Sequence, residues 1–205
     1  PFQINLPGDF SSAAFLIVAA IITPGSELTI KNVGINPTRT GLLDVLRSMG
    51  ADIRIRKRPT QAGEPVGDIQ VRHSALKGIQ ISGGMVVRMI DEFPAFSVAA
   101  AYAQGISSIK QARELRYKET DRISSICDNL SRLGVDIQEQ EDGYTINAGR
   151  RIRGGSVTSQ NDHRLAMAMA ILGLASEKDV LIDGAEIIAK SYPDFNDTLE
   201  GMGAR

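Results

Sequence analysis

The chain has 205 residues, of which 42% are apolar and 23% charged, and its formal net charge is −1. A chain of that length buries roughly 70% of its unfolded surface, so its core needs no disulfide or metal to hold it. The near-neutral charge argues against a nucleic-acid or anionic-membrane partner, and any anion site must be a local cluster of cations. A single cysteine, Cys127, excludes an internal disulfide and points to a reducing, cytoplasmic compartment. The longest apolar run, Ala13 to Thr23, is about half a membrane span. No signal peptide is visible, but the chain opens at Pro1 without a Met, and a piece of a longer protein is expected.

Asp9 opens "DFSSAAF", and the run "SSAAFLIVAAII" is apolar on every face, which predicts a helix buried all round. "PGSELTI" then reads as a turn and an alternating strand. Leu42, Leu46 and Met49 share one face of a second helix, with Gly50 as its C′ residue. "ADIRIRKR" and "GDIQVRHS" alternate like the two strands of a hairpin, in which His73 has no evident partner.

The same order then returns. Asp91 opens "DEFPAF", with Pro94 in the first turn of another buried helix. "GISSIKQ" follows as a strand. Ile123, Ile126, Cys127, Leu130 and Leu133 make one apolar stripe ended by Gly134, which places Cys127 in the core. "VDIQEQE" and "GYTINAG" read as a hairpin turning at Asp142-Gly143. A third copy begins at Asp162 in "DHRLAM", passes through "EKDVLID" and reaches Phe195, Leu199 and Met202 before Gly203. Asp9 to Gly50, Asp91 to Gly134 and Asp162 to Gly203 span 41, 43 and 41 residues, the mark of an internal repeat.

Each unit reads as strand, buried helix, strand, surface helix and hairpin. The expectation is one α/β domain over residues 1–205, built of three βαβαββ repeats around buried helices. The repeats run roughly over 3–80, 81–150 and 151–205, the third incomplete for want of its hairpin.

Chemistry concentrates in three places. The repeat aspartates stand where helix N-caps belong, and capping alone can account for them. Asp91 has an odd setting, since "MIDEFPAF" puts two carboxylates into an apolar run. From Arg113 to Arg122, seven of ten residues are charged, four cations and three carboxylates. Lys118 to Arg122 is expected to open the amphipathic helix, capped by Thr120 or a residue before it. Lys118 and Arg122 then form an i, i+4 pair of like charges at a helix N-terminus, unfavourable unless an anion is bound. The cluster is either a seat for an anion or a solvated face. Arg164 lies in the first turn of a buried helix, where an unpaired Arg is costly. His163 beside it is either a proton carrier or a polar residue at a helix end. Lys190 lies just ahead of the third surface helix, where the second copy has its cations. No metal-ligand spacing, Gly-rich phosphate loop or nucleophile elbow is present.

The stretches "LPGDFSSAAF", "INPTRTG", "IDEFP", "RELRYKETDR", "NDHRLAMAMAI" and "AKSYPDF" closely resemble the C-terminal half of the 5-enolpyruvylshikimate-3-phosphate synthase (3-phosphoshikimate 1-carboxyvinyltransferase) family. The resemblance covers essentially the whole chain, and the K-E-[ST]-D-R and D-H-R motifs are specific. It implies an inside-out α/β fold and transfer of the enolpyruvyl group of phosphoenolpyruvate to the 5-hydroxyl of shikimate 3-phosphate, without metal or organic cofactor. By the same resemblance, Asp91 is the base at the shikimate hydroxyl and Glu119 the proton donor to the methylene carbon. Lys118 holds the phosphoshikimate, while Arg122, Arg164 and Lys190 clamp phosphoenolpyruvate. Glu114 stands where many members have an Asn contacting the phosphoshikimate, and His163 matches the motif. The family's N-terminal domain, absent from this sequence, supplies the other wall of the cleft, so the chain alone is expected to be inactive. The competing expectations are a UDP-N-acetylglucosamine enolpyruvyl transferase and a non-catalytic anion-binding module.

Overall fold

A computed structural model describes residues 5–149 and 151–203. The expected unit limits at residues 3, 150 and 205 lie outside the described residues. The first helix, α1 (Phe10–Ile22), begins where the Asp9 carboxylate accepts the Ser12 amide at 2.7 Å. It stops before Pro24 and Gly25. Then come β1 (Glu27–Gly34), α2 (Gly41–Ser48), β2 (Ile53–Gln61) and β3 (Glu64–Arg72). Ala62 and Gly63, both at positive φ, make the two-residue turn of the β2–β3 hairpin.

The second stretch holds β4 (Gln80–Ile81), the short α3 (Gly84–Arg88), α4 (Phe93–Ala101), β5 (Gly105–Ile109) and a 3₁₀ turn over Arg113–Tyr117. It continues with α5 (Arg122–Arg132), β6 (Asp136–Gln140) and β7 (Gly143–Ala148). The third holds β8 (Gly155–Thr158), α6 (His163–Gly173), β9 (Val180–Asp183), a 3₁₀ turn over Ala185–Lys190 and α7 (Phe195–Gly201).

The sheets repeat one plan. β4 pairs in parallel with β5, whose other edge pairs antiparallel with β7, and β6 lies outside it, giving the order β4-β5-β7-β6. The order β1-β3-β2 matches it, with a parallel bridge from Gly8 to Val33 standing in for β4. The third sheet is the parallel pair β8-β9. Its hairpin positions have no counterpart among the described residues.

Helices α1, α4 and α6 each touch the other two and form the centre of the core. Every residue of α4 is buried, as is every residue of α1 except Ser12. Small side chains make this close approach possible: "AAA" at Ala99–Ala101 and alternating Ala and Met in α6. The amphipathic helices cover the outside, with Phe15 of α1 meeting Phe195 of α7 edge to face. Gly50, Gly134 and Gly203 all take positive φ just past α2, α5 and α7. No helix among the described residues is long and apolar enough to cross a membrane.

Two local expectations are corrected. The β6–β7 turn is Glu141–Asp142, because Gln140 pairs with Gly143. Met202, expected on the buried stripe of the third surface helix, is 42% exposed and lies just past α7.

Candidate active site

Five of the seven charges of Arg113–Arg122 divide into two jobs. Arg116 stitches the loop to the β6–β7 hairpin, donating to the carbonyls of Gln140 and Glu141 and to Asp121, each at 2.7 Å. The other Asp121 oxygen accepts the Ser124 amide at 3.1 Å and caps α5. Asp121 is therefore the cap, and Lys118 lies outside the helix in extended backbone after the 3₁₀ turn. The expected i, i+4 pair of cations on one helix face does not form. Lys118 and Arg122 are left to face Asp91, and Glu119 meets Arg122.

Asp91 lies in the turn ahead of α4, yet it is not the cap. Glu92 occupies that position and makes no side-chain cap bond. Three cations converge on Asp91 instead. Lys118 Nζ and Arg122 Nη1 lie 3.5 Å from Oδ1, and Arg164 Nη2 lies 3.8 Å from Oδ2. Burial would raise the Asp91 pKa, but Arg164, Lys118 and Arg122 outweigh it and hold the carboxyl below its usual range.

Arg122 is the hub. Its side chain and that of Asp162 are both 0% exposed. Nε donates to Asp162 Oδ2 at 2.7 Å and Nη2 reaches Oδ1 at 3.4 Å, while Nη2 also meets Glu119 Oε2 at 2.6 Å. Asp162 does double duty, since its Oδ1 accepts the Arg164 amide at 2.8 Å and caps α6. Removing either member of the Arg122–Asp162 pair would strand a buried charge at a cost of about 3–5 kcal/mol.

Glu92 is buried beneath this cluster and accepts from Ser11 Oγ at 2.5 Å, while Arg39 reaches the same hydroxyl at 3.4 Å. Burial raises the Glu92 pKa, opposed by the Ser11 bond and Arg164. His163 is lowered first by burial and then by Arg164, with Asp162 and Glu119 pulling the other way, so its neutral form is favoured.

The structure thus brings together Asp91, Lys118, Glu119, Arg122 and Arg164, with His163 near enough to feel three of them. Glu114 and Lys190 are exposed and stand outside this ion-pair network. The sequence reading passed over Asp162 and Glu92 as partners. The available signal was a buried Arg needing a buried carboxylate. A groove of about 590 Å³ between α1 and α7 is lined by residues such as Leu16, Leu28, Leu174 and Leu199 and includes none of these charges. Among the described residues no group of three or more His, Cys, Asp or Glu could hold a metal ion.

The family model for EPSP synthase (3-phosphoshikimate 1-carboxyvinyltransferase) matches residues 1–199. The 3-phosphoshikimate 1-carboxyvinyltransferase of Citrifermentans bemidjiense is 50% identical over 203 residues, covering 99% of this chain and 47% of that protein. The one from Petrotoga mobilis is 53% identical over 199 residues, covering 97% and 46%. The chain therefore spans about half the length of the curated relatives it matches. EPSP synthase from Acinetobacter baumannii superimposes with a TM-score of 0.94 at 41% identity, over 98% of this chain and 47% of that one. The enolpyruvyl transferase NikO from Streptomyces tendae shares the fold alone, with a TM-score of 0.70 at 16% identity over 95% of this chain and 43% of its own. With half of each relative matched along nearly its whole length, and with the enolpyruvyl-transferase fold, this chain belongs to the EPSP synthase family.

Proposed function

We propose that this chain forms one wall of an active site that moves the enolpyruvyl group of phosphoenolpyruvate onto the 5-hydroxyl of shikimate 3-phosphate. The observation that carries the reading is Asp91 ringed by Lys118, Arg122 and Arg164, with Glu119 on the same guanidinium. Asp91 takes the hydroxyl proton as the oxygen bonds to the enol carbon, and Glu119 gives a proton to the methylene carbon. The carbon–oxygen bond to phosphate then breaks and the new methyl loses a proton, leaving the enolpyruvyl ether and inorganic phosphate. Lys118 holds the phosphoshikimate, Arg122, Arg164 and Lys190 clamp phosphoenolpyruvate, and Glu114 and His163 complete the binding set.

Physical chemistry supports this division of labour. Surrounded by cations, Asp91 is a weak base. Substrate phosphate and carboxylate groups would draw those cations away and raise its basicity at the moment it is needed. Arg122 is fully buried and already holds Asp162 and Glu119, so an anion that takes the place of Glu119 on the guanidinium releases that side chain toward the substrate. The other wall comes from the half of the protein beyond this chain, and the lone buried Cys127 suits the cytoplasm.

The test uses the full-length protein with Asp91→Asn and Glu119→Gln, following phosphate release and, by calorimetry, substrate binding. Turnover is expected to fall about 10²- to 10⁴-fold for each, with binding retained. Unchanged turnover would leave an anion-binding module, and no phosphate release from the parent would end the assignment.

A further inference from the structure

Helix α5 carries a second stripe beside its apolar one. Arg122, Ser125 and Asn129 stand at i, i+3 and i+7, with exposures of 0%, 1% and 0%. Each grips one residue of the connection from β8 to α6. Asn129 Nδ2 donates to the Thr158 carbonyl at 2.9 Å, and its Oδ1 accepts the Thr158 amide at 3.2 Å. Ser125 Oγ donates to Gln160 Oε1 at 2.6 Å, and Thr120 Oγ1 reaches the same oxygen at 3.4 Å. Arg122 takes Asp162. Alternate residues 158, 160 and 162 are thus matched to 129, 125 and 122.

The connection is strained where the middle rung holds it. Gln160 and Asn161, neither of them glycine, take φ of 48° and 59° in succession. Such left-handed residues cost about 1–3 kcal/mol each and persist only where the surroundings over-determine them. The next residue is Asp162, the buried partner of Arg122. Thr120, on the same amide oxygen, lies between Glu119 and Arg122.

We propose that Gln160 is a positioning residue: clasped by Ser125 and Thr120, it holds the strained turn so that Asp162 lies against Arg122 and Glu119 keeps its place. It touches no reacting atom in this role. The inference rests on the enolpyruvyl-transfer reading and adds a residue outside both charged motifs.

In the full-length protein, Gln160→Ala is expected to lower kcat about ten- to a hundredfold through misplacement of the acid, with KM for shikimate 3-phosphate unchanged. Gln160→Glu keeps the accepting oxygen and should restore most of kcat. Ser125→Ala removes the nearer donor without touching the turn and should reproduce the loss in a folded protein. A purely structural role predicts a lower melting temperature with parental kcat per folded molecule, and that result overturns the proposal. So does an equal loss of kcat in the Ala and Glu variants. If the parent itself releases no phosphate, the functional reading fails separately. A crystal structure of Gln160→Ala then decides the clasp: Asp162 parted from Arg122 supports it, and the pair intact refutes it.

Discussion

Glu92 shows how one side chain sets a pH dependence. It is buried beside Asp91, and its pKa in the folded chain lies above the ordinary 4.5. The protonated form is therefore the one the fold favours. The stability so gained is fully present below the unfolded value and is lost as pH rises through the folded value. Glu92→Gln, a permanent mimic of the neutral acid, is expected to unfold at higher temperature than the parent at neutral pH. A gain of about 2–4 °C corresponds to about 1 kcal/mol in a chain of this size. The gap should close as pH falls toward 4.5. Thermal unfolding across that range checks it, and a difference independent of pH would contradict it. Asp91, lowered by its cations, has the opposite sign: its contribution is present above the ordinary 3.8 and lost as pH falls below it. The resemblance named Asp91 in the sequence, but the setting of Glu92 beside it required seeing Ser11 reach across from α1.

At the scale of elements, local periodicity read well and exact turns less so. The all-round apolar helices and the apolar stripe of α5 stand where the spacing placed them. The polar stripe of Arg122, Ser125 and Asn129 escaped notice, because polar residues flanking an apolar stripe ordinarily face water. Asp142-Gly143 has the composition of a hairpin turn, yet Gly143 begins β7. Its glycine serves close packing: a Cβ there would lie 2.0 Å from the Ile109 carbonyl oxygen in the neighbouring strand. Gly143→Ala is expected to lower stability by about 1–3 kcal/mol. At Gly63, which has positive φ and nothing within 4 Å of a Cβ, Asn should cost much less. Urea midpoints of the two variants make the comparison, and equal midpoints would refute the packing role.

For the whole molecule, one contiguous core unites all three stretches, while the charges collect where their connections meet. Because the chain spans about half of its relatives, the proposed cleft has one wall here. The isolated chain is expected to release no phosphate from the two substrates, and adding the remaining half as a separate chain should restore turnover. Full activity from the chain alone would refute the two-wall reading. The sequence by itself determined the class of the three buried and three surface helices, the repeated order of elements, the helix-ending glycines and the family motifs, but not the short α3. Those signals recur every few residues and depend on local geometry. Only the tertiary structure decided that Asp91 is no cap, that Lys118 leaves the helix, and that Arg122 is sealed against Asp162. Arg122 lies 31 residues from Asp91 and 40 from Asp162, Arg164 lies 73 from Asp91, and which charges meet depends on how three buried helices pack.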